Sequence, residues 1–270
     1  MTTARDVAAV FERIAPLSSG IPGDELGFIF GDPDQHIRGV GCCWCAHSGS
    51  IRAAAARGLD MLICHEAIWL PPQESPWYDG PAAGDIASNR LRRDLLEEHG
   101  IVVYRSHSNW DALVRDGVND QAVAALGLPG LTEIARQTYF SVCELPEPIA
   151  VSGLCAAAAE GLGFDRPRLF GKPEKLVRRF AFLIGGFGEN QIHMPQAARD
   201  LGAEALIIGE MSEFILMAAL EMGMPVIETL HSVSESPAIR RQAEILAARL
   251  QGLPVVYIPS GAPSLARSIS

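Results

Sequence analysis

No apolar stretch in this sequence runs long enough to span a bilayer before a charge interrupts it, which argues against a membrane-embedded chain. Positive charge is in deficit. The 22 Lys and Arg residues face 32 Asp and Glu, for a formal net charge of −10 and a pI of about 5.2. A surface of that sign repels phosphate backbones and disfavours a nucleic-acid partner, although a local basic pocket for a phosphorylated small molecule stays compatible. The first residues, Met1-Thr2-Thr3-Ala4-Arg5-Asp6-Val7, lack the basic and apolar regions of a secretory signal. A disulfide framework is also missing. Six cysteines are spread over 270 residues, most of them inside apolar strand-like runs, which suits a reducing cytoplasm. No tandem short repeat or low-complexity segment is visible.

What remains is a core-forming composition. Hydrophobic residues make up 48% of the chain and mean hydropathy is +0.15, enough for one large domain or two modest ones. Strand-like and helix-like segments alternate. An amphipathic helix is expected over residues 4–15, followed by a Gly/Pro-rich stretch over 18–31. A strand over 38–44, a helix over 50–57 and a strand over 61–64 make a β-α-β unit with short connections. A loop rich in Pro, Gly and aromatics covers 71–84. A helix over 88–98 ends at His99-Gly100, a strand runs over 101–104, and a helix over 119–126 closes at Gly127. Pro129-Gly130 and Pro146-Glu147-Pro148 mark a boundary over 128–150. Helices over 151–161, 196–201, 212–222 and 235–250 then alternate with strands over 180–184, 205–208, 226–230 and 255–258. The halves echo each other, so the expected fold is α/β, with two lobes of mixed sheet flanked by helices.

Three of these strands end in knots of metal-ligand side chains: Cys64-His65-Glu66, Ser106-His107-Ser108-Asn109-Trp110-Asp111, and His231-Ser232-Val233-Ser234-Glu235. Side chains leaving the ends of buried strands are held rigidly, and open α/β sheets carry their ligand crevices beyond the carboxyl ends of strands. Imidazole and carboxylate together suit Zn, Mn or Fe. Each knot also has an ordinary explanation. His65-Glu66 reads equally well as a polar pair in a loop. His107 and Asp111, and likewise His231 and Glu235, are spaced to share one helix face, as capping residues also are. Asn109 fits an N-cap or a ligand-orienting group, and Ser232, Ser234 and Ser236 fit caps of the last long helix. The coincidence of three strand ends favours the functional reading.

Other candidates are weaker. Gly185-Gly186-Phe187-Gly188 resembles an anion-cradling turn but lacks the lysine of a P-loop, and a tight turn is the simpler reading. Cys42-Cys43-Trp44-Cys45 is too compact for a zinc site. Cys42 and Cys43 read as core, while Cys45 and His47, past the strand end, are placed to line a cavity. Glu210 and Glu213 flank a helix start and read as caps.

Taken together, Asp24-Glu25-Leu26-Gly27 with Gly31-Asp32-Pro33, Leu62-Ile63-Cys64-His65, Ser106-His107-Ser108-Asn109-Trp110-Asp111, Gly117-Val118-Asn119-Asp120 with Ala125-Leu126-Gly127-Leu128, Ile208-Gly209-Glu210-Met211-Ser212 and His231-Ser232-Val233-Ser234-Glu235 resemble the NGG-interacting-factor-three-like family, often labelled "GTP cyclohydrolase 1 type 2 homologue". The resemblance runs nearly end to end. It implies two interlinked α/β lobes, residues 1–128 with 229–270 and residues 129–228, a cleft at strand ends holding two divalent ions (Fe, Mn or Zn), and a homo-oligomer, often a hexameric ring. The implied metal ligands are His65, Glu66, Asp111, His231 and Glu235, with His107 close by.

The chain departs from the family pattern at three places. Glu66 stands where a second histidine is usual, Cys45-Ala46-His47 where Asp-x-Thr is common, and Ser212-Glu213-Phe214 where Ser-His-His is common. Carboxylate for imidazole at Glu66 makes the site harder, toward Mn or Fe(II) relative to Zn, or removes one metal position. The expected function is a dinuclear-metal-dependent hydrolase of a small molecule (a cyclic amide, a nucleotide-like ring or a phosphoester) acting through a metal-bridged hydroxide. Glu66 or His107 would serve as general base and His47 would face the substrate. The alternatives are a non-catalytic metal-binding or trafficking protein that takes a nucleotide-like ligand, and a ring scaffold in which the knots are only caps.

Overall fold

A computed structural model of the chain describes residues 2–71, 80 and 82–263. Most of the Pro/Gly/aromatic loop expected over 71–84 lies outside them. In chain order the elements are α1 (Ala4–Glu12), β1 (Gly27–Phe30), β2 (Val40–Cys43), α2 (Ser48–Ala55), β3 (Met61–Cys64), α3 (Ala87–His99), β4 (Val102–Arg105), α4 (Ser108–Asp111), α5 (Val118–Ala125), β5 (Thr132–Gln137), β6 (Phe140–Ala150), α6 (Val151–Leu162), β7 (Arg168–Phe170), β8 (Leu176–Phe187), α7 (Met194–Asp200), β9 (Leu206–Met211), α8 (Glu213–Glu221), β10 (Val226–Glu228), α9 (His231–Arg249) and β11 (Val255–Tyr257). The chain divides into two compact units, Met1–Leu113 with Ile239–Ser270, and Val114–Ala238.

The first unit holds a mixed sheet of order β1-β4-β3-β2-β11. Its three pairings from β4 to β11 are parallel, and β1 lies antiparallel on β4 at the edge. β2, β3 and β4 are buried along their whole length, which is why they read as unbroken apolar runs rather than alternating ones. Leu62, Cys64 and Val103 pack on one face with Ile51 of α2 and Leu96 of α3. Elsewhere Phe11 of α1 stacks on Trp110 of α4 at 5.7 Å and meets Tyr104 edge-on at 6.0 Å. α1 starts at a capping box between Thr3 and Asp6, and Gly100 ends α3 with φ +60°, a turn that glycine makes without steric cost.

The second unit holds a mixed sheet of order β5-β6-β8-β9-β10-β7. β8, β9 and β10 are parallel neighbours, while the β5, β6 and β7 pairings are antiparallel. Phe140, Leu183, Leu206 and Val226 pack with Ile215 and Ala219 of α8.

Four expectations change. The Gly/Pro stretch contains β1, an edge strand entered through Gly27 at φ +94°. The expected boundary over 128–150 is the β5–β6 hairpin. Pro146 and Pro148 sit inside β6 where its register with β8 shifts between Glu144 and Ile149, a position that needs no ladder N–H. Gly185-Gly186-Phe187 is the end of β8 rather than a loop, paired to β9 through Glu210 and Met211 after its own register shift. α9 begins at His231, earlier than expected, so its first turn carries the third knot.

Candidate functional site

In the first unit, His65 follows β3 directly and is fully buried. Its Nδ1 lies 3.1 Å from the Ser106 carbonyl. A carbonyl only accepts, so Nδ1 carries a proton, and in the neutral ring the lone pair is then on Nε2. Nε2 faces Asp111 Oδ1 at 3.5 Å. Asp111 ends α4, and the two residues before it are locked. Trp110 is stacked under Phe11, and Asn109 is fully buried, donating to the Ala15 carbonyl at 2.9 Å and accepting from Ser106 Oγ at 3.1 Å. Asn109 is therefore a strut that fixes the Asp111 turn, not the N-cap that spacing suggested.

The cap comes from Asp24, to which the sequence reading gave no role. Its carboxylate accepts from the Ser108 amide at 3.1 Å, from Ser108 Oγ, from His107 Nδ1 at 2.9 Å and from Arg105 Nη1 at 2.8 Å. Burial opposes ionisation of Asp24, but the His107 and Ser108 hydrogen bonds and the His107 and Arg105 charges outweigh it and hold the acid well below its usual range. His107 points Nε2 at Glu66 Oε1, 3.6 Å away, and its ring meets that of His65 edge-on at 4.9 Å. Burial alone would lower the His107 pKa. The Asp24 hydrogen bond, then the charges of Glu66 and Asp111, raise it instead, to about 9. His65, His107 and Asp111 each offer a ligand atom within 4.8 Å of the others.

In the second unit, His231 stands at the head of α9 between two carboxylates. Nε2 is 3.3 Å from Glu235 Oε1, one turn along the helix, and Nδ1 is 3.1 Å from Glu210 Oε1 at the end of β9. The floor beneath them is glycine. A Cβ on Gly185 would stand 2.8 Å from Glu235 Oε1, and one on Gly186 would stand 2.9 Å from His231 Nδ1. Ser234 is buried and ties the helix to this floor, accepting from the Gly185 amide at 3.1 Å and donating to the His231 carbonyl at 2.8 Å. The chain enters α9 through Leu230 at φ +99°, an uncommon conformation for a residue with a side chain.

Other candidates are placed differently from expectation. His47 is buried and is the N-cap of α2. Its Nδ1 accepts from the amides of Gly49 and Ser50 at 2.9 and 3.3 Å, and Nε2 lies 3.1 Å from the Gly261 amide. Burial, and then the charge of Arg92, push its pKa down to about 4. With both ring nitrogens turned to backbone, His47 does not face a substrate. Cys42, Cys43, Cys45 and Cys64 are all free and buried, and burial raises the Cys45 thiol to about 11, so none has thiolate character. Glu210 is not a cap but a partner of His231. Glu213 does occupy the first turn of α8. Ser234 and Ser236 lie inside α9 rather than ahead of it. Asp24 was visible only as part of a family-like motif. The role of the two glycines depends on their register at the end of β8, which no local pattern encodes.

Each unit thus gathers an imidazole nitrogen and carboxylate oxygens, a donor set that suits a borderline or hard divalent cation. The His65 tautomer fixed by a backbone carbonyl is the arrangement seen at metal-binding imidazoles.

A sequence model of Duf34/NIF3 (NGG1p interacting factor 3) matches residues 2–263. Several proteins named GTP cyclohydrolase 1 type 2 homolog are similar along most of their length. The one from Clostridium acetobutylicum is 24% identical over 258 residues, 92% of this chain and 89% of its own. The one from Methanocaldococcus jannaschii is 22% identical over 260 residues, 92% and 96%. Among solved structures, a Bacillus cereus protein related to NIF3 superposes with a TM-score of 0.77 at 15% identity, covering 97% of each chain. Protein ybgI, of unknown function, does so with a TM-score of 0.77 at 24% identity, covering 97% of this chain and 100% of its own. These likenesses in structure show a shared fold. Among the described residues, no helix is long and apolar enough to cross a membrane.

Proposed function

The chain belongs to the Duf34/NIF3 family, and we propose that it is a metal-dependent hydrolase of a small molecule with two divalent ions, Fe, Mn or Zn. The proposed ligands are His65, Glu66 and Asp111 in the first unit and His231 and Glu235 in the second. The observation that carries this reading is His65 Nε2 facing Asp111 Oδ1 at 3.5 Å, inside a cluster of ligand-type atoms that includes His107, with His65 Nδ1 committed to a carbonyl. His231 and Glu235 above a glycine floor support it independently.

Bound divalent ions would supply Lewis acidity, which makes water a competent nucleophile near neutral pH. The chain's own contribution is proton handling. His107, pinned at Nδ1 by Asp24, presents Nε2 beside the Glu66 carboxylate, and the pair accepts and returns a proton at those two atoms. Arg105 ties Asp24 to the His65 carbonyl, at 2.8 and 3.1 Å, so the proton pair and the ligand share one brace.

The relatives' name makes ring opening of a guanine nucleotide the first reaction to test, beside cyclic amides and phosphoesters. Metal-loaded protein is expected to turn over a member of such a panel, with loss of rate in His107→Ala and Glu66→Gln. Full metal occupancy with no turnover across the panel would favour a metal-carrying protein instead.

A further inference from the structure

Glu210 makes an interaction that the proposed ligand set does not explain. Its Oε1 lies 3.1 Å from His231 Nδ1, on the side of the ring opposite Glu235. A carboxylate accepts on both sides of the ring, but the Glu210 contact is a hydrogen bond at 3.1 Å while Glu235 stands 3.3 Å from Nε2. When the ring holds a single proton, the Glu210 contact favours it on Nδ1 and leaves the Nε2 lone pair aimed with Glu235. The backbone is shaped around this contact. A Cβ on Gly186 would stand 2.7 Å from Glu210 Oε1 and 2.9 Å from His231 Nδ1, directly against the hydrogen bond. Gly186 needs no positive φ, so it is the space and not the turn that calls for glycine. Register supports the same conclusion, because Gly186 pairs across the ladder with Glu210. Next to Glu210, a Cβ on Gly209 would meet the Gly185 carbonyl at 2.2 Å and Ser234 Oγ at 2.7 Å, so β9 comes close enough to carry Glu210 to the ring. Leu230, held at φ +99° with its amide 2.6 Å from the Gly209 carbonyl, delivers His231 to that point.

We propose that Glu210 is a positioning residue that fixes the tautomer and orientation of His231, with Gly186 keeping the space for their hydrogen bond. For the metal this rests on the hydrolase reading above, where a carboxylate behind a ligating histidine is expected to strengthen binding 10–100-fold. The tautomer itself does not depend on any metal.

The test therefore has two arms. In metal-free protein labelled with ¹⁵N-histidine, at a pH where the ring's own nitrogen shifts show a single proton, His231 is expected to carry that proton on Nδ1. Glu210→Ala and Gly186→Ala should each move it toward Nε2, while Glu210→Gln, whose amide oxygen still accepts, should retain it. An Nε2-protonated His231 in the unaltered protein, or a tautomer indifferent to Glu210→Ala, would overturn the proposal. In the second arm, Mn(II) or Zn(II) titrated into the full chain should bind roughly 10–100-fold more weakly to Glu210→Ala, with most of the affinity restored by Glu210→Gln. Equal affinity in all three proteins would overturn the positioning role, and loss in Glu210→Gln as deep as in Glu210→Ala would make Glu210 a ligand instead. If the unaltered protein takes up no metal, the hydrolase reading falls, and the tautomer arm still decides the role of Glu210.

Discussion

Replacing Asp24 with alanine should destabilise the first unit by about 3 kcal/mol, with a distinctive dependence on pH. The side chain is 6% exposed and its Arg105 partner 8%, so the substitution strands a buried guanidinium, a change that typically costs about 3–5 kcal/mol. Arg105 keeps the Glu25 and His65 carbonyls as acceptors, which favours the lower end. The Ser108 amide at the start of α4 loses its cap at the same time. With a urea m-value of about 2 kcal/mol/M, the midpoint should fall by roughly 1.5 M. Trp44, Trp69, Trp77 and Trp110 all precede residue 114, so tryptophan fluorescence follows this unit selectively. In metal-free protein His107 is raised from 6.5 to about 9. A raised folded pKa contributes stability that is complete below about 6.5 and disappears as pH rises through about 9. The Asp24→Ala deficit should thus be largest near pH 6 and shrink above pH 9, leaving the pH-independent Arg105 share. A midpoint shift under about 0.3 M, or a deficit that grows with pH, would refute the account of Asp24 as the hub.

Three further outcomes follow from particular contacts. Gly161→Ala should destabilise the second unit by about 2 kcal/mol despite the better helix propensity of alanine, because its Cβ would stand 1.9 Å from the Ala125 carbonyl of α5; far-UV circular dichroism under urea checks the sign. His47→Ala should cost about 1 kcal/mol as a lost cap of α2 and leave metal content unchanged, whereas a loss of metal would restore His47 to the site. Glu66→His, which returns imidazole to the family position, should shift the bound metal toward Zn when the protein is loaded from a Zn/Mn mixture, as read by elemental analysis.

The parallel strands could be read from the sequence because burial on both faces writes them as plain apolar runs. β3 falls on 61–64 as its composition indicates. Edge and hairpin strands could not. β1 hides among glycines and prolines, β7 has three residues, and β6 carries prolines at its register shift. The knots were found by ligand chemistry, but the residues that hold them act at a distance in sequence. Asp24 reaches His107 across 83 positions and Glu210 reaches His231 across 21. His47 misled because its place past a strand end suits both a cavity-facing imidazole and a helix cap, and only the positions of the Gly49, Ser50 and Gly261 amides separate the two.

Metal binding by these side chains is what the proposed function depends on. Elemental analysis of protein purified under metal-replete conditions, beside His65→Ala and His231→Ala, tests it most directly. The unaltered protein is expected to hold about two divalent ions per chain, as a two-metal site would, with a clear loss in each variant and the fold intact by circular dichroism. Near-zero metal in the unaltered protein, or metal content indifferent to both substitutions, would contradict it.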